Sequence, residues 1–414
     1  MVSYGVIKNH DSINPAYILY FSIPFLLYLY IKNIIKTKRE LDIYDYIFYF
    51  LIFTGLLTSF FAINTEISFL GKDYRHEGFL SLLSYYLLFI TWKDKATKDD
   101  IKKIINIFVF IGIFNSLYSI LQVYTKLPFI LRYTREPMMA SGICGNPNFF
   151  GSLVVTLLGI ITTKFLINKM NIKCILLLIL FFISLINVQS TGPFLTYIIT
   201  VIFLIIYLKI KNKIILKNIV YLIIILVLTY LFIFILNNKV YKLGKCEMCD
   251  FMGVVSNAEQ NSDYRITNGR IEIWKDSLKL VKKRPFIGVG YDNYHLSYYD
   301  NVNLSAVVFT TVNGEIKAQK KYPEIIDNAH NVYLHTLVTS GIFGLLPYLL
   351  LCLYTFIRGL KTKDINVMLL FGGFVAYSIQ AFGNISVIQV APVYFIIIGL
   401  ILSINELQKE TSYI

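Results

Sequence analysis

Residues 214–236 read IILKNIVYLIIILVLTYLFIFIL, interrupted only by Lys217, Asn218 and Thr229. About 20 mostly apolar residues in a helix cross the hydrocarbon core of a bilayer. This stretch therefore predicts a membrane-spanning helix. Working outward, comparable blocks recur at roughly 15–35, 43–63, 76–92, 103–125, 147–168, 171–189, 192–208, 331–357, 365–383 and 386–405. With 56% hydrophobic and 15% charged residues over 414 positions, lipid must solvate much of this chain. The expected fold is an all-α, polytopic transmembrane bundle of about eleven spans.

Charge patterning orients it. The formal net charge is +14, but the basic residues sit in short clusters between apolar blocks, a topology signal and not a nucleic-acid groove. Lys32, Lys36, Lys38 and Arg39 form one cluster, and Lys93 to Lys103 hold another. Lys164–Lys173, Lys209–Lys217 and Arg358–Lys363 follow. With eleven spans all five fall on one side, which the positive-inside rule makes cytoplasmic. The expectation is a multi-pass protein of the cytoplasmic (inner) membrane, N-terminus outside and C-terminus inside.

The same parity puts residues 237–330 outside, between a bundle over 1–236 and a closing set of spans over 331–414. A connection this long is usually functional. Within it Arg270–Lys283 is amphipathic, with Ile271, Trp274, Leu278 and Val281 predicted on one face and Pro285 as its stop. Of five cysteines, Cys246 and Cys249 have suggestive spacing. Two ligands fall short of the four of structural zinc, so no metal site is expected, and a local disulfide is the alternative.

Positive charge is scarce on the outer side, which makes its arginines informative. Arg75, Arg132, Arg135, Arg265 and Arg270 all fall there. A guanidinium is a permanently charged planar fork suited to phosphate oxygens, although carboxylate or headgroup pairing would look the same in sequence. His330, in Asp327-Asn328-Ala329-His330-Asn331 where the loop meets the ninth span, is a candidate general base. His335 lies deeper and reads as a packing residue or a supporting partner of the site. Gly341 and Gly344 suit close helix approach, and Pro347 suits a kink. Asn146-Pro147 reads as a cap and first turn of the fifth span.

Five elements recur in an order that resembles the O-antigen ligase and O-antigen polymerase superfamily. They are Arg75-x-Glu77-Gly78, Gly142-x-x-Gly145-Asn146-Pro147-Asn148, Arg270-x-x-x-Trp274, Pro285-x-x-Gly288-x-Gly290 and His330-Asn331-x9-Gly341-x-x-Gly344. The resemblance implies an all-helical membrane glycosyltransferase. It would move a glycan from a polyprenyl (undecaprenyl) diphosphate carrier to a hydroxyl of a glycan, lipid or cell-wall acceptor at the outer membrane surface. It further implies that His330 is the catalytic base and that Arg270 engages the donor diphosphate. Arg75, Arg135 and Arg265 are added as donor ligands on charge and sidedness. One departure stands out: where the family often has Ser-Arg-Gly opening a middle span, this chain has Gln189-Ser190-Thr191-Gly192-Pro193.

A sugar diphosphate carries its own leaving group, so arginines and one base suffice in principle. No Asp-x-Asp pair marks the outer loops, and a metal-independent reaction without cofactors is expected. Ligase and repeat-unit polymerase stay open, since both share the motifs. A lipid-linked glycan flippase is the competing class, but the spans carry almost no charge and show no internal repeat. A peptidoglycan-type polymerase would rely on an outer carboxylate instead of a histidine.

Overall fold

The computed structural model describes residues 15–38, 40–72, 75–125, 139–237, 270–301, 307–312, 315–320 and 326–403. It is a helical bundle with a cap at one end. The bundle contains α1 (Pro15–Thr37), α2 (Ile43–Phe60), the short α3 (Thr65–Leu70), α4 (Phe79–Lys95) and α5 (Lys98–Tyr124). It continues with α6 (Pro147–Ile167), α7 (Ile172–Asn187), α8 (Thr191–Ile210) and α9 (Leu216–Ile235). The cap holds α10 (Arg270–Lys283), α11 (Tyr294–Asn301) and the antiparallel pair β1 (Val307–Val312) and β2 (Glu315–Lys320), with Val307 opposite Lys320. The chain returns through α12 (Val332–Lys361), α13 (Ile365–Gln380) and α14 (Ala391–Leu402).

Each of the eleven expected spans coincides with one of these helices. Seven of them, α1, α2, α5, α6, α8, α9 and α12, are long and apolar enough to cross a membrane, and α7, α13 and α14 are shorter apolar helices. The chain is a multi-pass membrane protein. Helix starts follow local chemistry. Asp42 and Asp45 close a capping box on α2, Thr97 and Asp100 another on α5, and Asn146 caps α6 ahead of Pro147.

The centre of the bundle is α6 packed on α13. Its closest point is Gly159 against Gly372, where a Cβ on Gly159 would stand 2.3 Å from the Gly372 carbonyl oxygen. Around this pair, α8 also packs on α6 and α13, α14 on α4, and α2 on α12. The cap-side ends of α4, α8, α12 and α13 thereby meet, and polar side chains gather there.

Candidate active site

The cap is fixed to the bundle by a backbone clasp. Helix α12 breaks at Gly341, whose φ of 64° and ψ of −168° leave the helical region. Residues 285–290 fill the break. Val289 N–H donates to Val338 O at 3.0 Å and Gly290 N–H to Thr339 O at 2.9 Å. In return Ile342 N–H donates to Pro285 O at 2.8 Å and Phe343 N–H to Phe286 O at 3.1 Å. Two backbones this close exclude side chains: a Cβ on Gly288 or Gly341 would fall 2.3 or 2.2 Å from the opposing main chain. Both glycines also have positive φ. The close approach expected of Gly341 is therefore helix to loop. The break lies at this glycine, and Pro347 continues the helix.

Helix α10 then docks on the segment that carries the histidine. Trp274 donates its indole N–H to the carbonyl of Ala329 at 2.9 Å. Ser277 and Tyr294 share a hydroxyl hydrogen bond of 2.8 Å, and Leu280 is buried among Val289, Tyr294, Tyr298 and Val338. The inward face thus holds Trp274 and Val281 of the expected stripe together with Ser277 and Leu280, while Leu278 is exposed. The indole and Ser277 bonds also set the helix's rotation, which a pattern of apolar residues alone does not register. Since Arg270 is one helical turn from Trp274, anchoring the indole brings the arginine beside His330.

His330 itself is held from both sides. Its backbone has a φ of +49°, and its N–H donates to Asn328 Oδ1 at 3.0 Å. Asn331 caps α12 by accepting from Leu334 N–H at 3.0 Å, and Val332 N–H donates to Ala381 O at 2.8 Å. Asn328 Nδ2 lies 3.5 Å from His335 Nε2, and the His335 ring lies 5.5 Å from Tyr294. His335 thus supports the residue that holds His330. Burial pushes the His330 imidazole down to about 4. The Arg270 charge adds to that shift, Asp327 opposes it, and Arg75 adds a smaller part. At neutral pH this ring is uncharged.

The two arginines flanking it differ. Arg75 binds Asp327 through two nitrogens, Nη2 at 2.6 Å and Nε at 2.9 Å, with both side chains largely covered. Around that pair, Lys72 N–H donates to Asp292 Oδ2 at 2.7 Å and Tyr85 donates to Glu77 at 3.0 Å. Burial pushes Glu77 up to about 8 and raises Asp292 as well. Arg75, Glu77 and Asp292, with Asn328 and His335, line a cavity of about 60 Å³. Arg270 is different: among the described residues no carboxylate pairs with it. Its Nη1 faces two glycines, 3.9 Å from where a Cβ would stand on Gly192 at the start of α8 and 3.4 Å from one on Gly383. Burial disfavours its charge, yet a guanidinium keeps it at neutral pH. Arg135, Arg265, Cys246 and Cys249 lie outside the described residues.

Residues 176–349 match a family model described as O-antigen ligase. The matched region resembles that family and covers less than half of the chain. It takes in α8, α10, the clasp and His330, whereas Arg75 and Glu77 come from before it. An uncharacterized protein of Haemophilus influenzae is 26% identical over 116 residues, which is 27% of this chain and 26% of that protein. The match thus spans about a quarter of the relative's length.

The site has more parts than its sequence motifs name. Asp327 and Asn328 act on Arg75 and His330, and Asp292 joins from the clasp. Their signal was the dense polar run 327–331 at the mouth of an apolar span, where the reading had singled out one residue.

Proposed function

We propose that this protein is a glycosyltransferase that takes a glycan from a polyprenyl diphosphate carrier and joins it to an acceptor hydroxyl at the outer face of the cytoplasmic membrane. The observation that carries this reading is the pairing of an uncharged, buried imidazole at His330 with a buried guanidinium at Arg270. The first can accept a proton and the second can hold an anion, and both lie in the matched domain. Membrane O-antigen ligase chemistry asks for these two abilities in one place.

In the proposed reaction the donor diphosphate lies against Arg270 at the glycine-lined start of α8. Ser190 gives that helix no side-chain cap and bonds Asn148 at 2.7 Å instead, so the first N–H groups of α8 favour an anion. The arginine missing from the Ser-Arg-Gly position has its charge supplied here by Arg270 from the cap. The acceptor oxygen attacks the anomeric carbon as His330 Nε2 or Nδ1 removes its proton. The bond from that carbon to the diphosphate oxygen breaks, its electron pair leaves with the carrier diphosphate, and the sugar inverts. The proton passes from His330 to the departing diphosphate or to water. Charge neutralisation comes from arginine, and we propose that no metal takes part.

Ligation and polymerisation differ in the acceptor, and both remain within the proposal. The sidedness belongs to it too: N-terminus and cap outside, C-terminus inside. The test is purified protein given a polyprenyl-diphosphate glycan and candidate acceptors. A new glycosidic bond in the parent, lost in His330→Ala, supports the reading. Movement of lipid-linked glycan across vesicles with no bond formed would make the protein a flippase instead.

A further inference from the structure

Glycine loses more chain freedom on folding than any other residue. A structural reason for keeping one is a positive φ or a close neighbour that a Cβ would strike. Every described glycine but two has such a reason. Gly71 and Gly145 have φ of 81° and 73°, and a Cβ on Gly55 or Gly359 would stand 2.4 or 2.0 Å from a phenylalanine ring. Gly192 and Gly383 have neither. Their φ lies outside the left-handed region, and among the described residues a Cβ on either would touch a single atom, Arg270 Nη1, at 3.9 and 3.4 Å. Those are ordinary van der Waals separations, so alanine would fit at both positions with the guanidinium unmoved. Packing explains neither glycine, and both leave their gap at the same cation.

The walls of that gap are fastened. Ser190, two residues before Gly192, donates its hydroxyl to Asn148 Oδ1 at 2.7 Å. Asn384, next to Gly383, donates its side-chain N–H to the main-chain carbonyl of the same Asn148 at 2.9 Å. Thr196 of α8 donates to Gln380 Oε1 of α13 at 2.7 Å. The two glycine-bearing segments are thus tied to one residue and to each other, which keeps the gap from closing onto Arg270.

We propose that Gly192 and Gly383 are specificity-determining residues, whose missing side chains hold open a space at Arg270 for a phosphate group of the donor. The inference rests on the proposed donor reading and names the two residues that gauge its anion. The charge of the guanidinium is permanent, and among the described residues no carboxylate offsets it, so an anion is the favoured occupant. Its planar fork of N–H donors matches phosphate oxygens. The approach to Nη1 from α8 and from the end of α13 runs through the positions that the two methyl groups would take. Alanine would therefore spare the fold and obstruct the ligand.

Binding and melting of the full protein in nanodiscs test this together. Gly192→Ala and Gly383→Ala should each weaken inorganic diphosphate and polyprenyl diphosphate about tenfold, the worth of one hydrogen bond to a charged group. Their ligand-free melting temperatures should equal or exceed that of the parent, since alanine at a compatible φ has less freedom to lose. Gly159→Ala, at a packing glycine, is the control and should lower melting. Parental affinity for diphosphate in either variant overturns the proposal. So does a fall in ligand-free melting alongside the lost binding, because the glycines would then serve the fold. Diphosphate binding that depends on both glycines, in a protein that forms no glycosidic bond, would keep the gauge and remove the transferase reading. Transfer at the parental rate and donor KM in both variants would do the reverse.

Discussion

His330 has two flanks, and each carries an arginine of the same sidedness. On the first, Arg75 is spent on Asp327, and Glu77, Asp292 and Lys72 surround the pair. On the second, Arg270 sits against Gly192 and Gly383, where among the described residues no carboxylate offsets it. A cation matched by a carboxylate in the same fold needs no ligand. A buried cation facing backbone and glycine has room for one. Equal charge in the sequence therefore becomes a clamp on one side and, among the described residues, a cation without a carboxylate on the other. A diphosphate reaching Arg75 would first have to displace Asp327.

The sharpest way to break this contrast is to remove the group between the flanks. His330→Ala should lower transfer by roughly 10²–10⁴-fold with donor affinity nearly intact, the range for loss of a positioned base. Steady-state kinetics with varied donor checks it, and transfer at the parental rate removes His330 from the chemistry. Next in size is the difference between the arginines. Arg270→Ala should raise the KM for donor about 10- to 100-fold, the worth of charge-assisted hydrogen bonds of roughly 1.5–3 kcal/mol. Arg75→Ala should instead lower thermal stability by leaving Asp327 unpaired in a covered site. The double variant with Asp327→Asn should recover much of that stability, and a thermal unfolding cycle measures the coupling. If Arg75→Ala raises donor KM as much as Arg270→Ala does, the two flanks are alike and the contrast is wrong.

How these flanks form was only partly legible in the sequence. Helices as long and apolar as α6 and α9 announce themselves, because lipid demands a continuous run and local composition reports it directly. His330 and Arg270 stood out for a related reason: polar residues at the rim of apolar spans contrast with their surroundings. The partners did not. Nothing local tells that Arg75 meets Asp327, 252 positions away, since that contact depends on residues 61–72 docking under the clasp. The face of α10 follows the apolar pattern at Trp274 and Val281 and departs from it at Leu278, because an indole N–H and a serine hydroxyl also set the rotation. The β1–β2 pair is signalled by Asn313-Gly314 following the β-branched run Val307–Val312, although the next six residues, EIKAQK, carry only one β-branched side chain.

A smaller change tests how Arg270 is aimed. Trp274→Phe keeps the ring and deletes the N–H that reaches Ala329 O. One neutral hydrogen bond is worth about 1 kcal/mol, so transfer should fall by about fivefold. The loss should appear in donor KM and kcat together, because the bond sets Arg270 and His330 relative to each other. An unchanged KM would mean that α10 holds Arg270 in place without the indole.

The smallest effect is invisible at neutral pH. In the donor-free protein His330 is pushed down to about 4, first by burial and second by Arg270. The ring is therefore already a base at pH 7, and the acid limb of kcat/KM, which reports the free enzyme, should lie well below the ordinary histidine value of about 6.5. Arg270→Gln removes the second cause and leaves the first. Its acid limb should move upward, toward but short of 6.5, while a matching Arg75→Gln should move it less. Stability follows the same sign: below about 6.5 the unfolded chain takes up a proton that the folded His330 refuses, so stability declines as pH falls toward 4. His295, also pushed down to about 4 by burial, adds to that decline. Measuring the limb in parent, Arg270→Gln and Arg75→Gln separates the flanks by charge alone. Identical limbs in all three would show that neither guanidinium is close enough to His330 to act on its proton.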